Sequence, residues 1–155
     1  MALEKGDKIP ELLGVDQDGK VVKASDYAGK KLVLYFYPKD NTPGCTAQAC
    51  NLKDNNVELL KAGYQILGVS IDSEASHQKF KEKYSLPFRL IADTDKKLVE
   101  KFGVWQEKNS FGKKYMGTVR TTFLIDENGT IIHELAGRKV KTKEHAAQIL
   151  DFKLD

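Results

Sequence analysis

Cys45 and Cys50 are the two cysteines of this 155-residue chain, and both lie in the stretch PKDNTPGCTAQACN. Their spacing is neither the C-x-x-C of a thioredoxin-type redox pair nor half of a zinc site. What it permits depends on the local backbone. Thr42 followed by Pro43 reads as a helix start, with threonine capping free amides and proline at the first helical position. Cys45 then falls in the first turn, its sulfur leaning back toward unpaired N–H groups and the positive end of the helix dipole. Both features favour the thiolate, the nucleophilic form of cysteine. Gly44, having no side chain, leaves the approach to the sulfur open.

Ionisation alone makes a modest catalyst. A thiol of pKa about 8.5 is already about 3% ionised at pH 7, so full ionisation adds roughly thirtyfold in reactive species, while falling basicity reduces nucleophilicity. A fast enzyme needs further groups that bind substrate and stabilise a leaving oxygen. The plainer reading of Cys45 is a small buried hydrophobe, and of Cys50 a packing cysteine at a helix edge.

If both cysteines sit on one helix, their Cα atoms are about 8.6 Å apart and their side chains diverge by about 140°. A disulfide requires Cα atoms within about 7 Å, so the two thiols cannot join without unwinding. Cys45, Ala49, Leu52, Leu59 and Leu60 share one apolar stripe, with Cys50 and Val57 at its margin. The intervening residues TAQA are small and bury little, so this turn is expected to open at low cost. Such a pair suits a cycle in which oxidation of Cys45 precedes capture by Cys50.

The elements that position this stretch follow from hydrophobic pattern. A short hairpin spans 12–15 and 21–22 around DQDG, and the apolar run 32–37 reads as a strand buried on both faces and ended by Pro38. A helix runs from 43 to about 61, ended by Gly63; YQILGVSID is a second buried strand; 73–84 is helical. FRLIAD, VRTTFLID and TIIHELAG supply three more strands, the last two antiparallel across ENG, with a short helix in TDKKLVEKFG and a closing helix over 142–152. Strands alternating with helices predict an α/β three-layer sandwich with a mixed central sheet, compatible with a thioredoxin-like fold. No repeat, linker or low-complexity tract divides the chain, so 1–155 reads as a single domain.

Composition narrows the classes further. With 41% hydrophobic and 30% charged residues the chain fits a soluble globular domain. The 25 Lys and Arg are balanced by 22 Asp and Glu without a basic stripe, which argues against nucleic-acid binding. No span is apolar enough for a membrane and the start, MALEKGDKIP, lacks a secretory pattern, so a cytoplasmic protein with reduced thiols is expected. His77, His133 and His145 are scattered and offer no metal spacing, so no metal or cofactor is implied.

The stretch YPKDNTPGCTAQAC resembles the peroxiredoxin signature P-x-x-x-T-x-x-C, met here by Pro38, Thr42 and Cys45. The second cysteine five residues on is similar to the peroxiredoxin Q, or bacterioferritin comigratory protein, subfamily, and the resemblance continues through GVSIDS, LPFRLIADTDKKLVEKFGVW and GKKYMGTVRTTFLID. The resemblance implies a peroxidase acting on hydrogen peroxide and organic hydroperoxides. Cys45 would attack the peroxide and become a sulfenic acid. Thr42 would bond the peroxide, Pro38 would cover the sulfur, and Arg120 would favour the thiolate and stabilise the departing oxygen. Cys50 would resolve the sulfenic acid as an intramolecular disulfide, reduced by thioredoxin or a similar dithiol. No cysteine lies near the C-terminus for intersubunit resolution, so a monomer is expected.

Other residues carry plainer readings. Arg89 and Arg138 are expected at the surface; Gln48, one turn beyond Cys45, either steadies Arg120 or is solvated; Trp105 is core or rim; Tyr35, Phe36, Tyr37 and Phe123 are core. From the residues alone two other functions stay open: a thiol-disulfide oxidoreductase or redox sensor acting on a protein partner, and a non-catalytic interaction domain with structural cysteines.

Overall fold

Five strands form the central sheet of the computed structural model, which describes residues 2–153. They are β3 (Lys31–Phe36), β4 (Tyr64–Ser70), β5 (Arg89–Ala92), β8 (Thr121–Ile125) and β9 (Ile131–Ala136), in the order β5-β4-β3-β8-β9. β3, β4 and β5 pair in parallel, whereas β8 runs antiparallel to both β3 and β9. The sheet is therefore mixed. Two-residue alternation along β3 sends Val33, Tyr35 and Tyr37 into one apolar cluster and Leu32, Leu34 and Phe36 into another. Helices α1 (Pro43–Asp54), α2 (Asn56–Lys61), α3 (Glu74–Tyr84) and α5 (His145–Asp151) contribute to the first cluster, and α4 (Lys97–Lys101) to the second. Three layers result, as expected. The N-terminal hairpin, β1 (Leu12–Val15) and β2 (Val21–Lys23), adds Leu13 and Val22 to the second cluster. Among the described residues no helix is long and apolar enough to cross a membrane.

Three expectations need correction. The long helix from 43 to about 61 is two helices, broken where the Asn55 side chain donates to the Asn51 carbonyl at 2.8 Å and competes with the helical ladder. That break shifts the helical phase, so Leu59 is buried but Leu60 faces solvent. The closing helix begins at His145 instead of 142, because the Lys143 carbonyl accepts from Asn51 of α1. A hairpin that the pattern did not reveal, β6 (Trp105–Ser110) and β7 (Lys113–Thr118), stands apart from the central sheet. Its strands are largely exposed on both faces, Tyr115 and Met116 included, and its turn places Phe111 at φ 51° ahead of Gly112 at φ 82°. A bulky aromatic at positive φ is not a hairpin signal, so sequence reasoning had nothing to read.

Arg89 is likewise not a free surface arginine. It is half-buried on β5, its Nε 2.9 Å from Asp16 and its Nη1 3.4 Å from Asp26, and so ties the N-terminal hairpin to the sheet. Trp105 sits at the rim with the Lys96 ammonium 4.9 Å over its ring.

Two consequences for stability follow. A Cβ on Gly68 of β4 would stand 2.8 Å from Leu90 and 3.0 Å from the Tyr35 ring, both fixed in the core. Gly68→Ala is expected to lower unfolding stability by about 1–3 kcal/mol through overpacking, read from urea denaturation. Buried His145 has its Nε2 against the Thr122 hydroxyl at 2.8 Å and its Nδ1 against Gln148 Oε1 at 2.9 Å, a set that suits the neutral ring. Burial pushes its pKa below the ordinary value; the Gln148 bond opposes this and the Arg120 charge adds to it. The unfolded chain thus takes the proton first, and stability falls as pH drops below about 6.5. The urea midpoint should decline between about pH 7 and pH 5, and His145→Gln should flatten part of that decline.

Candidate active site

Residues 37–42 carry the chain from β3 to α1, and a buried polar cluster fixes their path. The Asp40 carboxylate accepts from Tyr37 Oη at 2.6 Å and Ser76 Oγ at 2.8 Å, and His77 Nδ1 lies 2.6 Å from it. The other ring nitrogen of His77 faces the Ile91 carbonyl at 2.8 Å, and the Asp40 amide donates to Asp72 at 2.8 Å. Oxygens of Asp40 and Asp72 and a ring nitrogen of His77 thus lie within 4.8 Å of one another. Their hydrogen bonds to one another, to Tyr37 and to Ser70 and Ser76 account for them as a clamp on the loop.

The loop delivers Pro38, half-buried, and Thr42 at the N-cap position with extended backbone. The Thr42 side chain makes no cap bond; its hydroxyl donates to the Lys39 carbonyl at 2.9 Å. The expected threonine cap is therefore absent. Pro43 occupies the first helical position, and the amides of the first turn are not taken up by a capping side chain. Cys45 sits there, 2% exposed.

Arg120 approaches from the segment just before β8, where its carbonyl accepts from the Gly137 amide at 2.7 Å. Its Nη2 donates to Cys45 Sγ at 3.4 Å and its Nη1 to Gln48 Oε1 at 2.6 Å. The guanidinium is always charged and planar, so two anchoring bonds fix its direction. Gln48 is fully buried, not solvated, and its Nε2 has no protein partner among the described residues. Gly44 admits this approach: a Cβ there would lie 3.1 Å from Arg120 Nη2. The glycine thus makes room for the arginine. Both cysteines are free thiols, Cys45 buried and Cys50 half-buried. Their spacing on the intact helix α1 keeps them too far apart to bond.

Chemically, this is a cysteine at a helix N-terminus facing a fixed cation, an arrangement suited to nucleophilic attack that releases an anionic oxygen. Residues 5–134 match the AhpC/TSA family. The chain is 51% identical over 150 residues to Peroxiredoxin Bcp of Bacillus subtilis, covering 97% of this chain and 94% of that one. It belongs to the AhpC/TSA family, among the Bcp/PrxQ peroxiredoxins.

Peroxiredoxin Bcp of Escherichia coli is 45% identical, with 97% of this chain and 95% of that one covered. A cysteine-to-serine mutant of PrxQ from Xylella fastidiosa superposes with a TM-score of 0.86 at 34% identity, covering 97% and 95% of the two chains. The bacterioferritin comigratory protein of Xanthomonas campestris, described as having alkyl peroxide reduction activity, superposes at 0.82 with 38% identity, covering 93% and 95%. The chain is thus a peroxiredoxin with a thioredoxin-like fold, a thiol peroxidase.

Two residues lie beside the site: Tyr35, in the core as expected, and Lys108, which the sequence did not single out. Tyr35 packs in the cluster that holds Cys45; burial raises its phenol pKa well above the ordinary value, and negative charge on Cys45 adds to the shift. Lys108 of β6 lies over Gly117, and its ammonium is lowered by burial and by Arg120 and raised by Cys45. Tyr35 looked like any apolar strand residue, and Lys108 belongs to the hairpin that carried no signal. Arg138 is exposed, as expected.

Gly44→Ala tests the fit around the sulfur. Its Cβ must displace the guanidinium by a few tenths of an ångström, and the expected loss in kcat/KM for hydrogen peroxide is about tenfold, near 1.4 kcal/mol. Stopped-flow peroxide consumption reads this, with circular dichroism as the control for folding.

Proposed function

We propose that Cys45 is the peroxidatic cysteine and Cys50 its resolving partner in a single-domain, monomeric, cytoplasmic peroxidase. The observation that carries this reading is the 3.4 Å contact between Arg120 Nη2 and Cys45 Sγ, fixed by Gln48 on the other guanidinium nitrogen. Substrates are hydrogen peroxide and organic hydroperoxides. The Cys45 thiolate attacks one peroxide oxygen; the S–O bond forms as the O–O bond breaks, leaving a sulfenic acid. The departing oxygen, stabilised by Arg120, takes up a proton and leaves as water or an alcohol. Thr42 orients the peroxide through its hydroxyl oxygen, which accepts from the peroxide O–H while its own proton stays on the Lys39 carbonyl, and Pro38 limits water at the sulfur.

The second step needs α1 to unwind locally. Cys45, Gln48 and Ala49 are the buried residues of its first two turns and are small or polar, whereas Leu52 is the first large apolar anchor. Opening up to Cys50 therefore exposes little hydrocarbon and belongs to the cheaper end of local unfolding. Cys50 then attacks the sulfenic sulfur, the S–O bond breaks, and water leaves with the Cys50 proton. A dithiol of the thioredoxin kind reduces the disulfide and lets the helix re-form.

Replacing each cysteine by serine separates the two steps. Cys45→Ser is expected to abolish peroxide turnover; retained turnover rules out the assignment. In Cys50→Ser the first equivalent of peroxide should be consumed at the wild-type rate, a sulfenic acid should accumulate to dimedone labelling, and thioredoxin-supported turnover should fall at least tenfold. Unchanged turnover there would remove Cys50 from the cycle.

A further inference from the structure

The residue that follows Cys50 is bonded to a part of the chain far away in sequence. Asn51 Nδ2 donates to the Lys143 carbonyl at 2.9 Å, and Asn51 Oδ1 accepts from the Ala146 amide at 2.8 Å. Ala146 is the second residue of α5, whose own N-cap residue, Glu144, makes no side-chain cap bond. Asn51 thus supplies from α1 the oxygen that a capping residue would normally supply from within α5. Immediately beyond it Leu52 is fully buried, and the Asn51 carbonyl accepts both the backbone and the side-chain amide of Asn55. On the other side lie only the small or polar buried residues Cys45, Gln48 and Ala49. The helix therefore changes, between Cys50 and Asn51, from a lightly held stretch to a firmly held one.

We infer that Asn51 is a positioning residue for disulfide formation: its two bonds to α5 end the unwinding at Cys50, so Cys45 travels while its partner stays in place. The inference rests on the proposed Cys45–Cys50 chemistry and assigns its boundary. Five residues of extended chain reach far more than the roughly 2 Å by which the helical Cα separation exceeds the disulfide limit. Melting beyond Cys50 is thus unnecessary for closure. A Cys50 released from its anchor would sample more positions and meet the sulfenic acid less often.

One sample of the full chain, oxidised with one equivalent of hydrogen peroxide, tests both layers separately. Mass spectrometry showing loss of two hydrogens with Cys45 linked to Cys50 supports the underlying chemistry, and its absence overturns that chemistry. Amide exchange by NMR in the same sample tests Asn51. Amides of residues 46–50 should lose protection on oxidation, while the Ala146 amide, which donates to Asn51, should keep its protection within about threefold; a collapse at Ala146 overturns the inference. In Asn51→Leu the peroxide step should stay within about twofold of wild type, and the lifetime of the dimedone-reactive sulfenic acid should lengthen at least threefold. An unchanged or shorter lifetime contradicts the positioning role. Should that variant fail to fold, exchange at Ala146 in the wild type still decides.

Discussion

The contact between the Cys45 sulfur and the Arg120 guanidinium is the constraint around which the rest of this peroxiredoxin is arranged. A thiolate at a helix N-terminus already gains from free amides and the dipole, but those charges are partial and fade within a turn. The guanidinium adds a whole positive charge at 3.4 Å from the sulfur. Its value depends on direction, since an arginine free to rotate would lose rotamer entropy whenever it engaged. Gln48 and the hydrogen-bonded Arg120 carbonyl hold it in that direction.

That requirement explains features that look incidental when taken singly. Gly44 has no side chain because Arg120 occupies the space a Cβ would need. Gln48 is buried because its oxygen must reach Nη1. The loop ahead of the helix is irregular yet firmly held, since Asp40, His77, Tyr37 and Asp72 satisfy one another beneath it. In a low-dielectric interior such a network is worthwhile only when its polar groups are paired, and here three of the bonds converge on the Asp40 carboxylate.

The helix bearing the cysteine meets two opposed demands. In the proposed cycle it must be formed for the amides and the arginine to act on the sulfur, and it must come undone for the second thiol to reach it. Small buried residues from Cys45 to Ala49 favour opening, whereas Leu52 and the Asn51 bonds to α5 resist it further along. Stability is graded along a single helix, and the change falls just after the second cysteine, between Cys50 and Asn51.

Much of this was legible in sequence because it depends on residues that are close along the chain. Pro43 after Thr42 starts the helix, the cysteine spacing forbids a bond on that helix, and the alternating apolar runs dictate a buried sheet with helices on both sides. Local chemistry misled where a side chain had a competing partner: Thr42 bonds Lys39 instead of capping, and Asn55 breaks the long helix by donating to Asn51. The β6–β7 hairpin left little trace, since a solvent-exposed ribbon lacks the hydrophobic alternation that announces one and its turn puts Phe111, instead of Asn, Asp or Gly, ahead of Gly112. The sequence by itself determined which cysteine begins a helix and that its neighbour lies out of reach, because both follow from backbone geometry over a few residues. The resemblance pointed to Arg120 ahead of Arg89 and Arg138, but only the tertiary structure set its guanidinium against the sulfur, buried Gln48 against it, and tied Asn51 to α5. Each of those contacts joins residues distant along the chain, and the packing of the sheet and helices alone brings them together.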